Sequence, residues 1–583
     1  MTGAATPSDA GLPQLAADAR AHVAALLTEG DEADEQRRRG HRGLMAMVKA
    51  AVVSGVHSAA PTPSEVTGAA RWLSELEELQ TATGLFSSGD NLASPPDSAF
   101  TITDAALVLR VLRTAGPGAW PDDLGERLER MLRRAMPALI VGGVHTPNHR
   151  WELAGALAGA GELLGAGIGE QAIERAQEWL AEGVDIDADG LYSERSAIYA
   201  AHVSNPSLLA LADVLGRSDL LELVHRNLHA QLDLTAPGGE VETVHSRRQD
   251  QKYGVFPLGS FAGQFARFAV SCARCRAATA WALTLPGVDP VDVLAHAMLD
   301  DEVGAGLLAA ASEKGGPGRA AEIARAVGES TATVRWFGGV RLLRRTRGRD
   351  WATVYGGSDV PVARRIASGL ACNPTFLRLA LGRVEVSSVR LSRDFFGLGP
   401  FRAASVEYDS IYPDRLVMRE ELAAGYYQPL PEQLRQSNGA YPLEFEGRFA
   451  AAMAFGERSV DLLPLRTSVT VELTDEGAEL TVTTDGPVAA HALEIGLRDV
   501  PDVAGAAPLG DGRFHLGDDE ATVTVAGATL RVDLDGATGT APAPHYHPGE
   551  AYSFLDGTDA VGGTRLYATW NSPGSVTVRL RRA

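Results

Sequence analysis

Through roughly its first 330 residues the chain repeats apolar positions three and four apart. The pattern runs through 12–27, 64–80, 104–115, 122–136, 151–165 and 170–183, then 205–216, 218–232, 260–283 and 320–327. Such spacing predicts helices that each bury one face. Ser64 and Ser218 stand where N-caps belong, and Gly165 and Gly216 stand where helices end. No fixed repeat period emerges, which argues against a consensus solenoid. Many paired helices of similar length predict stacked hairpins, either an open array or a closed α/α toroid.

From about Thr331 the period changes from helical to alternating. TATVRWFGGVRLLRRT, RVEVSSVRLS, SVTVELTDEGAELTVTTDG, ATVTVAGATLRVDLDG and the terminal SVTVRLRR are rich in β-branched residues, as expected of strands with one buried face. LTDEGAEL reads as a hairpin, with Gly477 at a left-handed turn position. The segment 357–374 mixes both patterns and receives no element. The expectation is a multidomain α + β protein: an N-terminal (α/α) toroid of helical hairpins over 1–330, then an antiparallel β-sandwich over 331–583.

At 583 residues the chain is long enough for two large cores, and its 45% hydrophobic and 22% charged content is that of an ordinary globular protein. A formal net charge of −21 argues against non-specific nucleic-acid binding and against attraction to an anionic membrane surface. The first 20 residues lack a basic stretch followed by an apolar one, and no run of ~18 apolar residues occurs, so a soluble, cytoplasmic protein is expected. Three cysteines make no disulfide framework. Only Lys49, Lys252 and Lys314 of the 53 basic residues are lysines, so nearly every cation is a planar fork suited to carboxylates.

Four polar clusters interrupt the helical half, where side chains can project into a shared cleft. The first, 89–100, carries Asn91, Asp97 and Ser98 in a Pro-rich loop. The second, HTPNHRWELAG (145–155), places Asn148 as a cap and His149, Arg150 and Glu152 in the helical turn it opens. The positive end of that helix favours an anionic ligand group. The third, 189–205, has Ser193 as a cap for a helix in which Tyr199 and His202, three apart, share a face. Tyr199 is the residue type for proton transfer, with Tyr192 its competitor. The fourth, 238–254, gathers Glu242, His245, Arg247, Arg248, Asp250 and Tyr253, which reads either as a self-compensating loop or as an arginine clamp.

His225 and His229 have the spacing for two ligands on one helix face, but no HExxH and no evident third ligand. Cys272 and Cys275 form a CxxC inside an apolar helix and read as core cysteines, so no metal ligands are assigned. His545, His547 and Glu550 read as a loop rather than a metal site. No Walker loop, dinucleotide fingerprint or GxSxG occurs, so cofactor chemistry finds no support.

The two halves and these clusters together resemble polysaccharide lyases of the heparinase II/III-like and alginate-lyase-like group. The motifs that carry the resemblance are Asn148-His149 opening a helix and SERSAIYAAH at 193–202. The sequence departs from the group's pattern in having Ala197 where a proline is common, and two extra residues, Ala200 and Ala201, before His202. The resemblance implies a carbon–oxygen lyase that cleaves a uronate-containing oligo- or polysaccharide by β-elimination, leaving a 4,5-unsaturated uronate. Tyr199 would move the protons, His149 would act as carboxylate neutraliser or second base, and Asn148 and Arg150 would neutralise the carboxylate, with Arg248 as a further donor. Asn91, His202, His245, Arg248 and Tyr253 would line the sugar subsites. No redox cofactor is required, and a structural divalent metal in the sandwich is compatible with the group. Nothing in the sequence separates a monomer from a homo-oligomer. Two other readings stand beside this one. A glycoside hydrolase on an α/α toroid would need a carboxylate pair, drawn from Asp97 with Glu152 or Glu194. A non-catalytic carbohydrate-binding protein would bind without turnover.

The net charge then bears on approach rather than chemistry. Arg150, Arg195, Arg247 and Arg248 fall among the candidate motifs, while acidic residues crowd elsewhere, as at 29–35. Activity on a uronate should therefore hold, or rise, when moderate salt screens the outer field. A steep fall in initial rate between low and physiological ionic strength would refute this.

Overall fold

The structure is a computed structural model, and it describes residues 11–28, 40–58, 60–115, 120–313, 316–325, 332–498, 502–516, 520–536, 551–552, 557–558 and 561–583. The acidic run 29–35 and the histidine segment 545–550 lie outside the described residues. Two compact units emerge: Met1–Val241 with Phe256–Ala326, and Glu242–Val255 with Val327–Ala583. The expected division at 330 thus holds a detail that periodicity does not reveal. Fourteen residues from within the helical half, Glu242–Val255, pack with the second unit.

The helical unit comprises α1 (Gly11–Thr28), α2 (His41–His57), α3 (Pro63–Leu79), α4 (Pro95–Thr114), α5 (Asp122–Val141), α6 (Pro147–Leu164), α7 (Ile168–Leu180), α8 (Asn205–Leu215), α9 (Ser218–Leu234), α10 (Ala262–Phe268), α11 (Ala273–Ala282), α12 (Pro290–Leu299), α13 (Asp301–Ala311) and α14 (Gly316–Arg325). The even-numbered helices α2 to α12 form an inner ring: α2 packs on α4, α4 on α6, α6 on α8, α10 on α12, and α12 back on α2. Asn205 of α8 donates to Gln264 of α10 at 2.9 Å and completes the circuit. This is the closed α/α toroid rather than the open array.

Local chemistry moves several boundaries from their expected places. Thr62, not Ser64, caps α3, in a reciprocal capping box with Glu65. Ser94 caps α4, so Pro95 and Pro96 begin a helix instead of extending a loop, because a proline at the first helical position gives up only an orphan N–H. Arg217, not Ser218, precedes α9. The expected helix over 260–283 breaks at Ala269–Cys272 into α10 and α11, and Cys272 caps the second piece. Gly165 and Gly216 do end α6 and α8, at φ 66° and 64°. Among the described residues no helix is long and apolar enough to cross a membrane.

The second unit is a sandwich of two mainly antiparallel sheets. The eight-stranded sheet runs Asp502–Ala504, Glu520–Val525, Ala528–Asp535, Gly574–Arg582, Gly477–Asp485, Val460–Leu473, Arg415–Tyr427, Ser405–Tyr408. The nine-stranded sheet runs Ala506–Gly510, Arg513–Leu516, Thr564–Asn571, Ala490–Leu497, Val384–Arg393, Leu377–Leu381, Asp350–Tyr355, Leu342–Arg347, Ala332–Phe337. Alternate residues of both, such as Val469, Val471, Leu480, Val482, Val389, Leu391, Leu493 and Ile495, form one core. The hairpin at LTDEGAEL is present, with Leu473 opposite Ala478. Gly477 has φ 155°, and a Cβ there would meet the Leu580 carbonyl oxygen at 1.9 Å, so close approach rather than a left-handed turn demands the glycine.

The ring closes through Lys49, buried in α2, whose ammonium reaches Asp104 of α4 at 2.7 Å and Asp292 of α12 at 3.4 Å. Burial opposes its charge, but Asp104, Asp292 and Asp289 outweigh that and hold it above the ordinary lysine value. Lys49→Met should therefore destabilise the chain by roughly 3–5 kcal/mol, because two carboxylates lose their buried cation. Adding Asp104→Asn and Asp292→Asn should recover part of the loss. Chemical denaturation checks this; a loss below ~1 kcal/mol would show that the ring does not depend on the pair.

Candidate active site

The first turns of α2, α4 and α6 meet at one end of the ring. Arg42, the second residue of α2, pairs with Asp97 in the first turn of α4 and lies 3.8 Å over the ring of Phe100. Phe100 meets His149 of α6 edge-on at 6.5 Å, and His149 meets His145 at 4.7 Å. Glu152 and Tyr199 also lie near enough to act on Arg42 electrostatically. His41, beside it, bonds Thr101 at 2.6 Å; burial, then Arg42, lowers it to about 4, so it stays neutral.

Thr146 precedes α6 as its cap residue, so Asn148 is not the cap expected from sequence. Asn148 is instead a buried residue of the first turn, donating to Glu194 at 2.6 Å and to Thr146 at 3.3 Å. That bond ties the start of α6 to the chain that leads into α8.

Ser193 is not the expected cap either. Its hydroxyl goes to Asp185, and Ser196 caps a single helical turn, Ala197–Tyr199, through the Tyr199 N–H at 3.1 Å. A π-turn over Ala200–Ser204 follows before α8 begins. Tyr199 and His202 thus sit in different helix types, and the shared α-helical face does not form. Tyr199 is half-buried. His202 is exposed, edge-on to Phe256 at 5.8 Å. Tyr192, the rival tyrosine, is buried and donates to Asn205 at 2.7 Å, and burial raises its pKa further. It is a strut between this loop and α8.

Arg150 also departs from expectation. Its guanidinium is held by Glu182 at 2.9 Å and Asp185 at 3.2 Å, stacked 4.8 Å from Trp151. With its charge already matched by two acids, it is ill suited to neutralise a ligand carboxylate. Arg42, paired with Asp97, is the arginine that lies against Phe100, and no local signal in GHRGLM announces that position. Asn91 lies exposed in a tight turn closed on Ser88.

The carboxylates are spoken for. Asp97 pairs with Arg42, and Glu194 accepts from Asn148. Glu152 is buried, accepting from Thr103 at 3.0 Å and Ser207 at 3.3 Å; burial, partly countered by Thr103, pushes it up to about 7.

His245, Arg248 and Tyr253 belong to the second unit, on the segment Glu242–Val255. Its anchor is Glu242, fully buried and bonded by Arg378 at 2.6 Å, Thr353 at 2.9 Å and its own Thr243 and Val244 N–H groups, with Arg344 at 3.7 Å. Burial raises this carboxyl, but Arg378 and Arg344 outweigh it and hold it below the ordinary range. Gln251 accepts from the Cys372 and Asn373 N–H groups, and Arg247 is bidentate to Asp359 at 2.8 Å. Arg247 is therefore a fastener and not half of a clamp. His245 is buried, Arg248 half-buried and Tyr253 60% exposed. Tyr253 helps line a polar cavity of about 220 Å³ with Gln251, Asn373, Ser388, Arg390 and Arg498.

Two solved structures share this architecture. Heparinase III aligns with a TM-score of 0.54 at 12% identity, covering 96% of this chain and 79% of that one. The chondroitin AC lyase of Streptomyces coelicolor A3, solved with chondroitin sulphate, aligns at 0.52 and 14% identity over 100% of this chain and 80% of that one. Both are polysaccharide lyases, and the likeness is one of fold. No protein-family profile and no curated protein matches the sequence.

A carboxyl raised from 4.5 to about 7 on folding stabilises the fold fully below the lower value and loses that contribution as pH climbs through the higher one. Glu152 should make stability fall by up to about 3 kcal/mol across that window. Glu152→Gln should remove that slope, as urea unfolding at several pH values would record. Identical slopes in the two proteins would refute the assignment.

Proposed function

We propose that the chain is a polysaccharide or oligosaccharide lyase that cleaves a uronate-containing glycan by β-elimination, leaving a 4,5-unsaturated uronate. One observation carries the reading. The end of the ring where Tyr199, His149 and Arg42 gather has cationic and proton-transferring groups, while the three carboxylates that a hydrolase would draw on are, among the described residues, each bonded to a neighbour. Asp97, Glu152 and Glu194 are each committed to a partner. A fold shared with two polysaccharide lyases supports the same reading.

The chemistry begins with a carbon acid. The C5 hydrogen of a uronate is scarcely acidic while the adjacent carboxylate keeps its charge. Donors that neutralise the carboxylate bring an enolate-like intermediate within reach. The first turns of α2, α4 and α6 present partial positive charge and N–H groups there; Arg42 adds a guanidinium it shares with Asp97, and His149 acts as carboxylate neutraliser or second base. Tyr199 then takes the C5 proton and returns one to the departing O4 oxygen. Asn148, bonded to Glu194, is a positioning residue that fixes His149 on its turn. His202 and Asn91, both exposed, are candidate sugar contacts on this unit.

Incubation with a panel of uronate glycans should produce the ultraviolet absorbance of a conjugated unsaturated uronate. Tyr199→Phe should lower that rate by about 10²–10⁴-fold while glycan binding, followed by calorimetry, persists. Cleavage without the absorbance would replace this reading with the hydrolase. Binding without turnover by the unaltered chain would leave a carbohydrate-binding protein.

A further inference from the structure

His225 and His229 on α9, and Cys272 and Cys275 at the head of α11, come from segments over forty residues apart, yet their ligand atoms all lie within 4.8 Å of one another. Among the described residues, no other group of histidines, cysteines and carboxylates gathers so closely. The Nε2 of His229 stands 3.5 Å from the Cys272 sulfur and 3.7 Å from the Cys275 sulfur. A tetrahedral zinc ion with bonds of ~2.3 Å to sulfur and ~2.0 Å to nitrogen would set these separations at about 3.5 Å. We infer that His225, His229, Cys272 and Cys275 form a structural zinc site that fastens α9 to α11 in the outer layer of the toroid.

Each ligand is held by a feature of its own. The i, i+4 spacing puts both imidazoles on one face of α9, their rings 4.4 Å apart. His225 is stacked on Phe268 at 4.9 Å, and its buried Nε2 has no hydrogen-bond partner among the described residues. Cys272 caps α11 and accepts the Cys275 N–H at 3.4 Å, which turns both sulfurs to the same side. Arg274, between the two cysteines, pairs with Asp233, one turn beyond His229. The two elements are thus docked whether or not an ion is bound, so the site is preorganised. Two thiolates with two neutral imidazoles select zinc over magnesium or calcium, which prefer oxygen. Four protein ligands close the coordination sphere, as in structural rather than catalytic sites. Binding displaces one proton from each thiol, so two protons leave per zinc and the site becomes neutral.

The CxxC also fits a disulfide, and the test separates the two. The full chain, purified without chelator and under reducing conditions, should carry about one zinc per molecule by elemental analysis. Loading it with Co²⁺ instead should give the visible bands of tetrahedral cobalt and a thiolate-to-cobalt charge-transfer band. Cys272→Ser with Cys275→Ser, and separately His225→Gln, should lower zinc content at least about tenfold. The cobalt spectrum needs no substitution, so a variant that misfolds does not blur the outcome. A reduced chain that takes up neither metal, or whose cobalt spectrum lacks the thiolate band, would overturn the site. So would zinc content unchanged in the variants.

Discussion

The ammonium of Lys49 is the point on which the helical unit closes. It joins the first inner helix to the second through Asp104 and to the last through Asp292. A buried cation is costly unless matched, and two carboxylates from opposite directions match it. Other polar contacts continue the circuit: Thr103 to Glu152, Glu152 to Ser207, and Asn205 to Gln264. Arg42 lies seven residues, about two turns, before Lys49 on the same helix. Closing the ring at Lys49 therefore fixes the height at which Arg42 meets Asp97 and Phe100, and with it the end where Tyr199 and His149 gather.

The arginine-rich composition takes on a different meaning in three dimensions. A planar fork suits a ligand carboxylate, but the chain uses many of its forks on its own acids. Arg150 is taken by Glu182 and Asp185, and Arg247 by Asp359. On the nine-stranded sheet Arg378 and Arg344 hold Glu242, while Arg390 holds Glu494, which Tyr567 also bonds. The pairs on the sheet are buried, so charge matching there is required for the fold irrespective of any ligand. They also explain how a segment begun in the helical half becomes part of the sandwich unit. Glu242 finds its cations there, and burying it anywhere else would strand a charge.

What could be read from the chain follows the range of the interactions that decide it. Helical spacing and strand alternation are local, so the toroid and the sandwich were legible, down to the ends at Gly165 and Gly216. Caps were less so, because Thr62, Ser94 and Ser196 compete with equally plausible serines nearby, and the geometry of the preceding chain chooses. Arg42 was invisible because its significance lies in Phe100 and Tyr199, residues 58 and 157 positions away. The same holds for the histidine and cysteine pairs. Each alone is a weak signal, and only the packing of α9 beside α11 brings four ligands into one place.

Two small residues within SERSAIYAAH shape the chain that carries Tyr199. Ala200 and Ala201 open the π-turn Ala200–Ser204, in which one extra residue per turn is absorbed before α8 begins. Downstream, the core register of α8 is fixed by buried Leu208 and Leu211, and by Asn205 bonded to Gln264 and Tyr192. Upstream, Ser196 caps the turn that carries Tyr199, and Glu194 is bonded to Asn148. Without the π-turn, the packing of α8 would dictate where the Tyr199 hydroxyl points. With it, the backbone at Tyr199 is held by Ser196, and the chain just before it is tied through Glu194 to Asn148 in the first turn of α6. The same turn moves His202 off the α-helical face it would have shared with Tyr199 and leaves the histidine at the solvent edge.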